Sequence, residues 1–209
     1  MLQKLKPLIV LKKLKEKKIN LFTPLEFKRI FAVSSFATSW FIKTYTKKEL
    51  FIKLKNGLYA LADFLPSQYL IANKLYEPSY ISFDTALSFH GIIPETIYTI
   101  ASATPKTSRK FETIGALFTY QKIKKEVYTG YKPIKYLGET ILIAEPEKAL
   151  ADYLYFVDLG KRKLEYERIN LAKIKKIKLI NYVKLFKRPK ILNLIEQIYA
   201  DFRKPKRVY

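Results

Sequence analysis

The 209 residues include no Cys and a single His, which excludes disulfides, thiolate zinc sites, a Cys nucleophile and a multi-histidine metal centre. At 49% hydrophobic the chain can build a core, yet no apolar run approaches the ~18 residues of a membrane span. The net charge of +22 is unevenly placed: residues 1–62 carry 14 Lys/Arg against 3 Asp/Glu, residues 63–160 carry 10 against 11, and residues 161–209 carry 16 against 4. A base-composition bias would act everywhere, so cations confined to the two ends point to a polyanionic partner, nucleic acid before membrane.

In chain order, Leu2 to Lys17 reads as a first helix, with Leu5, Leu8, Ile9, Leu11 (or Lys12) and Leu14 on its apolar face and lysines opposite. Thr23 is an N-cap, Pro24 suits the first helical position, and Glu26 completes a capping box. Phe22 can staple onto Phe27, so a second helix runs from Pro24 to about Phe31. Ser34 or Ser35 caps a third, Phe36 to about Thr46. Its expected apolar face is Phe36, Ala37, Trp40, Phe41 and Tyr45; its polar face is Ser35, Thr38, Ser39, Lys43 and Thr46. Leu50–Leu54 and Leu58–Leu61 then read as strands joined by an Asn56-Gly57 turn. Three helices and a hairpin within some sixty residues is the winged helix-turn-helix order.

Gln68 to about Leu75 is a fourth helix. Tyr80–Glu95 holds a short one, with Ser82 as N-cap, Asp84 in the first turn, His90 at its end, and Gly91 and Pro94 as stops. Strands are expected at Ile97–Ala103, around Gly115 within Lys110–Gln121, at Val127–Tyr131 and over Ile134–Ala144. Pro146 restarts helix to about Asp158, ended by Gly160. The remainder is basic and helix-prone, with a last helix from Pro189 to about Phe202 and a loose tail, Arg203–Tyr209. The expected fold is α+β: an N-terminal winged helix-turn-helix (1–62) followed by a mixed α/β C-terminal domain with a basic helical tail (63–209), the Tyr80–Glu95 helix joining the two.

Five stretches carry a family resemblance: Lys55-Asn-Gly-Leu-Tyr-Ala60, Tyr80-Ile-Ser-Phe-Asp-Thr-Ala-Leu-Ser-Phe-His-Gly91, Phe118-Thr-Tyr120, Tyr128-Thr-Gly-Tyr131 and Ala144-Glu-Pro-Glu-Lys-Ala-Leu-Ala-Asp152. In this order, over roughly residues 20 to 160, they resemble the AbiEi-type antitoxins, the transcriptional-regulator partners of toxin–antitoxin operons. The resemblance implies a winged helix for operator binding and a C-terminal domain associated with antitoxicity. It also implies a cognate toxin of the nucleotidyltransferase type encoded next door.

The candidate DNA contacts are Ser35, Thr38, Ser39, Lys43, Thr46 and Lys47 on the third helix, short hydrogen-bonding side chains and cations suited to a groove, with Lys53 and Lys55 of the hairpin beside the phosphates. Lys173, Lys175, Lys176 and Lys178 form a possible second basic surface for DNA or an acidic partner. The expected function is DNA binding at the chain's own operator with transcriptional autorepression, as a cytoplasmic antitoxin and a possible homodimer on DNA. No catalytic residue, metal or cofactor and no membrane partner is expected. Two readings stay open: a winged-helix regulator without a toxin, and a metal-dependent nuclease using Glu145-Pro-Glu147-Lys148. Against the nuclease, Pro146 begins a helix there, and helix-start chemistry accounts for the acids. His90 lacks a nucleophile or orienting carboxylate nearby in sequence, so it is read as ending its helix and bonding locally.

Overall fold

The computed structural model describes residues 5–164 and 169–202. Residues 2–4 of the expected first helix and the tail Arg203–Tyr209 lie outside them. The protein is a mixed α+β chain with two separate sheets. It divides into two compact units, Met1–Ile71 and Ala72–Tyr209.

The first unit runs α1 (Pro7–Glu16), β1 (Leu21–Phe22), α2 (Pro24–Phe31), α3 (Ser35–Lys47), β2 (Phe51–Lys55) and β3 (Leu58–Leu61). Its antiparallel sheet has the order β1-β3-β2, with Phe22 opposite Tyr59 and Phe51 opposite Leu61. The α2 start is built as its residues dictate. The Thr23 hydroxyl accepts from the Glu26 amide at 3.2 Å, and the Glu26 carboxylate accepts from the Thr23 amide at 2.7 Å. The Phe22 and Phe27 rings meet at 5.6 Å. Phe27 also lies 4.6 Å from Phe31 and 5.5 Å from Phe41, at the middle of an aromatic core closed by Val10, Leu14, Ile42, Phe51 and Leu61.

Two helices turn a different face inward from the one expected. Helix α1 begins at Pro7 and buries Val10 and Leu14, leaving Leu8 and Ile9 exposed. Helix α3 buries Thr38, Phe41 and Ile42, while Phe36 and Trp40 stand in solvent at 83% and 56% exposure. Thr38 can lie inside because its hydroxyl donates to the Ser34 carbonyl at 2.9 Å, which satisfies the one polar atom and leaves a methyl to pack. In the hairpin, Gly57 takes φ +78° at the turn. The register slips between Lys53 and Lys55, a bulge that places Leu54 in the core and breaks the two-residue period.

Helix α4 (Gln68–Leu75) spans the division between the units. The second unit holds β4 (Tyr80–Ile81), α5 (Phe83–Phe89), β5 (Thr99–Thr104), β6 (Arg109–Thr113), β7 (Ala116–Lys122), β8 (Tyr131–Tyr136), β9 (Glu139–Ala144), α6 (Pro146–Asp158), α7 (Lys176–Lys184) and α8 (Pro189–Phe202). Its six-stranded sheet, β6-β7-β5-β4-β9-β8, is mixed: β4 pairs parallel with β9 and antiparallel with β5, and β5 pairs parallel with β7. Helix α5 packs on β5 and α6 inside this unit, with Phe83, Ala86 and Leu87 buried. Gly91 at φ +62° ends it, with the Ile92 amide reaching back to the Leu87 carbonyl at 2.8 Å. The strand expected at Val127–Tyr131 is instead a 3-10 turn (Lys125–Val127) leading into Gly130 at φ +76°. Among the described residues no helix is long and apolar enough to cross a membrane.

Candidate nucleic-acid interface

Helix α3 contains no acidic residue. Its outer face carries Ser35, Phe36, Ser39, Trp40, Lys43 and Lys47, all exposed. Lys28, at the end of α2, donates to the Ser35 hydroxyl at 3.0 Å, which brings another cation beside the start of α3. Lys28 had no motif to mark it, since the bond depends on the α2–α3 turn. No ion pair involves Lys43, Lys47 or Lys53 among the described residues, so their charges are uncompensated locally.

Two expected contacts move out of this face. Thr38 is 2% exposed within the core stripe, because the helix is rotated relative to its expected orientation. Thr46 is half-buried with its hydroxyl enclosed. Lys53 is exposed on β2 and Lys55 is half-buried beyond the bulge, so the alternation that would set both on one side is interrupted. The remaining set, Ser35, Ser39, Lys43 and Lys47 with Phe36 and Trp40, is a continuous helical stripe of hydrogen-bonding, aromatic and cationic side chains.

The second basic run is organised differently. Lys178 reaches Glu145 at 2.8 Å and Glu147 at 3.5 Å, and Lys176 pairs with Glu196 at 3.1 Å. The Lys173 ammonium donates to the His90 carbonyl at 3.4 Å, and the Lys175 backbone amide donates to Glu147 at 3.2 Å. The ammonium groups of Lys173, Lys176 and Lys178 therefore hold a turn carbonyl and carboxylates of α6 and α8, while the Lys175 side chain is exposed and joins the network only through its backbone amide. Arg188 is likewise paired with Asp158.

The Glu-Pro-Glu-Lys segment is the other half of that network. Glu145 is the N-cap of α6 and Glu147 stands in its first turn, as the helix-start reading has it, but the Glu145 side chain makes no cap bond. It accepts instead from Tyr182 at 2.5 Å, from Lys178 and from Lys132. Burial by itself would raise the Glu145 carboxyl, but hydrogen bonds from Lys132, Lys178 and Tyr182 outweigh that and bring it to about 2. Lys178 is raised in turn, first by its bond to Glu145. Deeper inside, Lys148 and Asp152 are both fully buried and joined at 2.6 Å. Tyr80 and Ser82 donate to the other Asp152 oxygen at 2.9 and 2.7 Å, and the Lys148 ammonium lies 4.8 Å from the centre of the Phe186 ring.

Tyr80, Tyr128 and Tyr131 cluster around the same point with centroids 4.6 to 5.2 Å apart, Tyr80 stacked on Tyr131 and Tyr128 tilted against both. Burial, followed by Asp152, pushes the Tyr80 hydroxyl well above its ordinary range. Gly130 is required here, since a Cβ would sit 2.6 Å from the Tyr182 ring. The His90 imidazole donates to the Ala144 carbonyl at 2.8 Å, a partner far along the chain where a local one was expected. With their oxygens committed to lysines, tyrosines and a serine, these acids stabilise the unit's interior. No cluster of three or more His, Asp or Glu suited to a metal ion occurs among the described residues.

No protein-family model matches the chain, and no curated protein matches it.

Proposed function

We propose that the chain is a DNA-binding antitoxin that represses its own operon, with the first unit as a winged helix-turn-helix. The supporting observation is the outer face of α3. Its exposed serines and unpaired lysines carry no acid, and it follows α2 through a tight turn within the order helix, strand, helix, helix, hairpin. In this reading the start of α3 meets base edges, and Lys43, Lys47 and the hairpin Lys53 neutralise phosphates. The second unit, whose Lys148, Lys176 and Lys178 pair with its own carboxylates, contributes the antitoxin role that the sequence resemblance implies, toward a nucleotidyltransferase-type toxin.

A gel shift of the full chain on DNA upstream of its own gene, against a scrambled duplex, tests the reading. Specific binding at least tenfold tighter is expected, with an affinity that falls with salt by a log–log slope of about −0.9 per phosphate neutralised. Combining Ser39→Ala with Lys43→Ala should weaken specific binding about tenfold or more and make the slope shallower by about one. Equal binding to both duplexes at physiological salt would sink the proposal. Co-expression with the neighbouring gene tests the antitoxin role separately: growth arrest that this chain does not relieve would leave a regulator without a toxin.

A further inference from the structure

The α3 stripe contains more than cations. Phe36, Trp40, Lys43 and Lys47 follow one another at i, i+4, i+7 and i+11 on the outer surface, flanked by Ser35 and Ser39. Single exposed hydrophobic residues are ordinary. Here a helix buries a threonine and an isoleucine while holding its phenylalanine at position 36 and the chain's only tryptophan in water, one turn apart. The surroundings say what would cover them. The whole helix lacks a carboxylate, and the lysines continue the aromatic line, so the face complements a polyanion with an apolar element in it.

The DNA major groove has that character. Its base edges are polar except for the thymine C5-methyl, the one apolar group they present. A recognition helix addresses base edges with its N-terminal residues. Phe36 and Trp40 are the second and sixth residues of α3, and the lysines follow toward its end. Four residues of helix span about 6 Å, close to two base-pair steps of ~3.4 Å.

We propose that Phe36 and Trp40 read thymine methyl groups, so that the preferred half-site carries thymines about two base pairs apart, while Lys43 and Lys47 hold the flanking phosphates. This rests on the DNA-binding reading of α3 and adds the chemistry of its specificity.

The test uses the full chain in selection from a random duplex library. The enriched duplex is then synthesised with dT or with dU at its preferred thymines, a change that removes only the methyl. The natural chain should bind about fourfold more weakly for each methyl lost. Phe36→Ala and Trp40→Ala should each become indifferent to dU at one position, with thermal melting unchanged because both side chains lie outside the core. An enriched duplex bound equally well with dU overturns the inference and leaves DNA binding by α3 standing. So does dU sensitivity that persists in both variants. If Trp40→Ala instead dissociates a dimer in sedimentation while dU sensitivity is unchanged, a second copy occupies the face and the inference falls. If no duplex is enriched over the pool, the DNA-binding reading fails and takes this inference with it.

Discussion

Asp152→Ala should destabilise the protein by about 3–5 kcal/mol in urea unfolding at pH 7, more than any change on the outer face of α3. The reason is the asymmetry between breaking a buried ion pair and never having one. Lys148 and Asp152 have no solvent exposure, and Asp152 accepts from Lys148, Tyr80 and Ser82 together. Without the carboxylate, an ammonium stays buried beside the Phe186 ring with its ion-pair partner gone, and two hydroxyls lose their acceptor. The double variant Lys148→Met with Asp152→Asn removes both charges and keeps an acceptor for Tyr80 and Ser82. It should recover at least half of the loss. A single variant costing under about 1 kcal/mol, or a double no better than the single, would show that the pair does not organise the core.

The next largest effect depends on pH and centres on Glu145. The folded carboxyl titrates near 2, below its ordinary 4.5, because bonds from Lys132, Lys178 and Tyr182 outweigh the cost of burial. Between those values the unfolded chain takes up a proton that the folded chain refuses. The stabilisation is therefore complete above about pH 5 and drains away as the pH falls toward 2. A depression of that size corresponds to about 3 kcal/mol. Glu145→Gln should consequently unfold more easily at pH 7 by about 2–3 kcal/mol, and its deficit should close as the pH drops. Stability curves for the two proteins that run parallel from pH 6 to pH 3 would refute this.

Much of the architecture was legible because it is written in local punctuation. The Thr23–Glu26 box, Pro146 and Pro189 at helix starts, and the glycines at positions 57, 91 and 160 mark boundaries through contacts within a few residues. What could not be read is non-local or rotational. β4 is two residues long, too short for any alternation, and its place depends on β5 and β9 arriving on either side. Helix α3 has apolar residues over so much of its circumference that period alone allows more than one core face. Ranking by size selects Phe36 and Trp40, whereas a hydrogen bond from Thr38 to Ser34 lets the smaller side chain go in. The lysines of α7 show a charge run, while their acids lie on α6 and α8, invisible to spacing.

Three of the five stretches that carry the resemblance share a location, while Lys55–Ala60 forms part of the hairpin in the first unit. Tyr80 and Ser82, Tyr128 to Tyr131, and Glu145 to Asp152 converge on one buried network in the second unit, and Tyr120 donates to the Ala72 carbonyl at 2.5 Å. These residues specify an interior. The α3 face, on which the proposed recognition depends, is built from residues outside all five stretches, so chains alike in this interior are free to differ in the DNA they select.

The outward position of Trp40 also makes the chain a sensor of its own encounters. The sole indole is on the surface of α3, whereas the described tyrosines are spread through both units. Indole emission therefore responds to whatever settles on that helix and reports little about the integrity of the interior, which the tyrosines and the backbone signal follow. Occupancy and folding can thus be watched in two optical channels on the unlabelled protein.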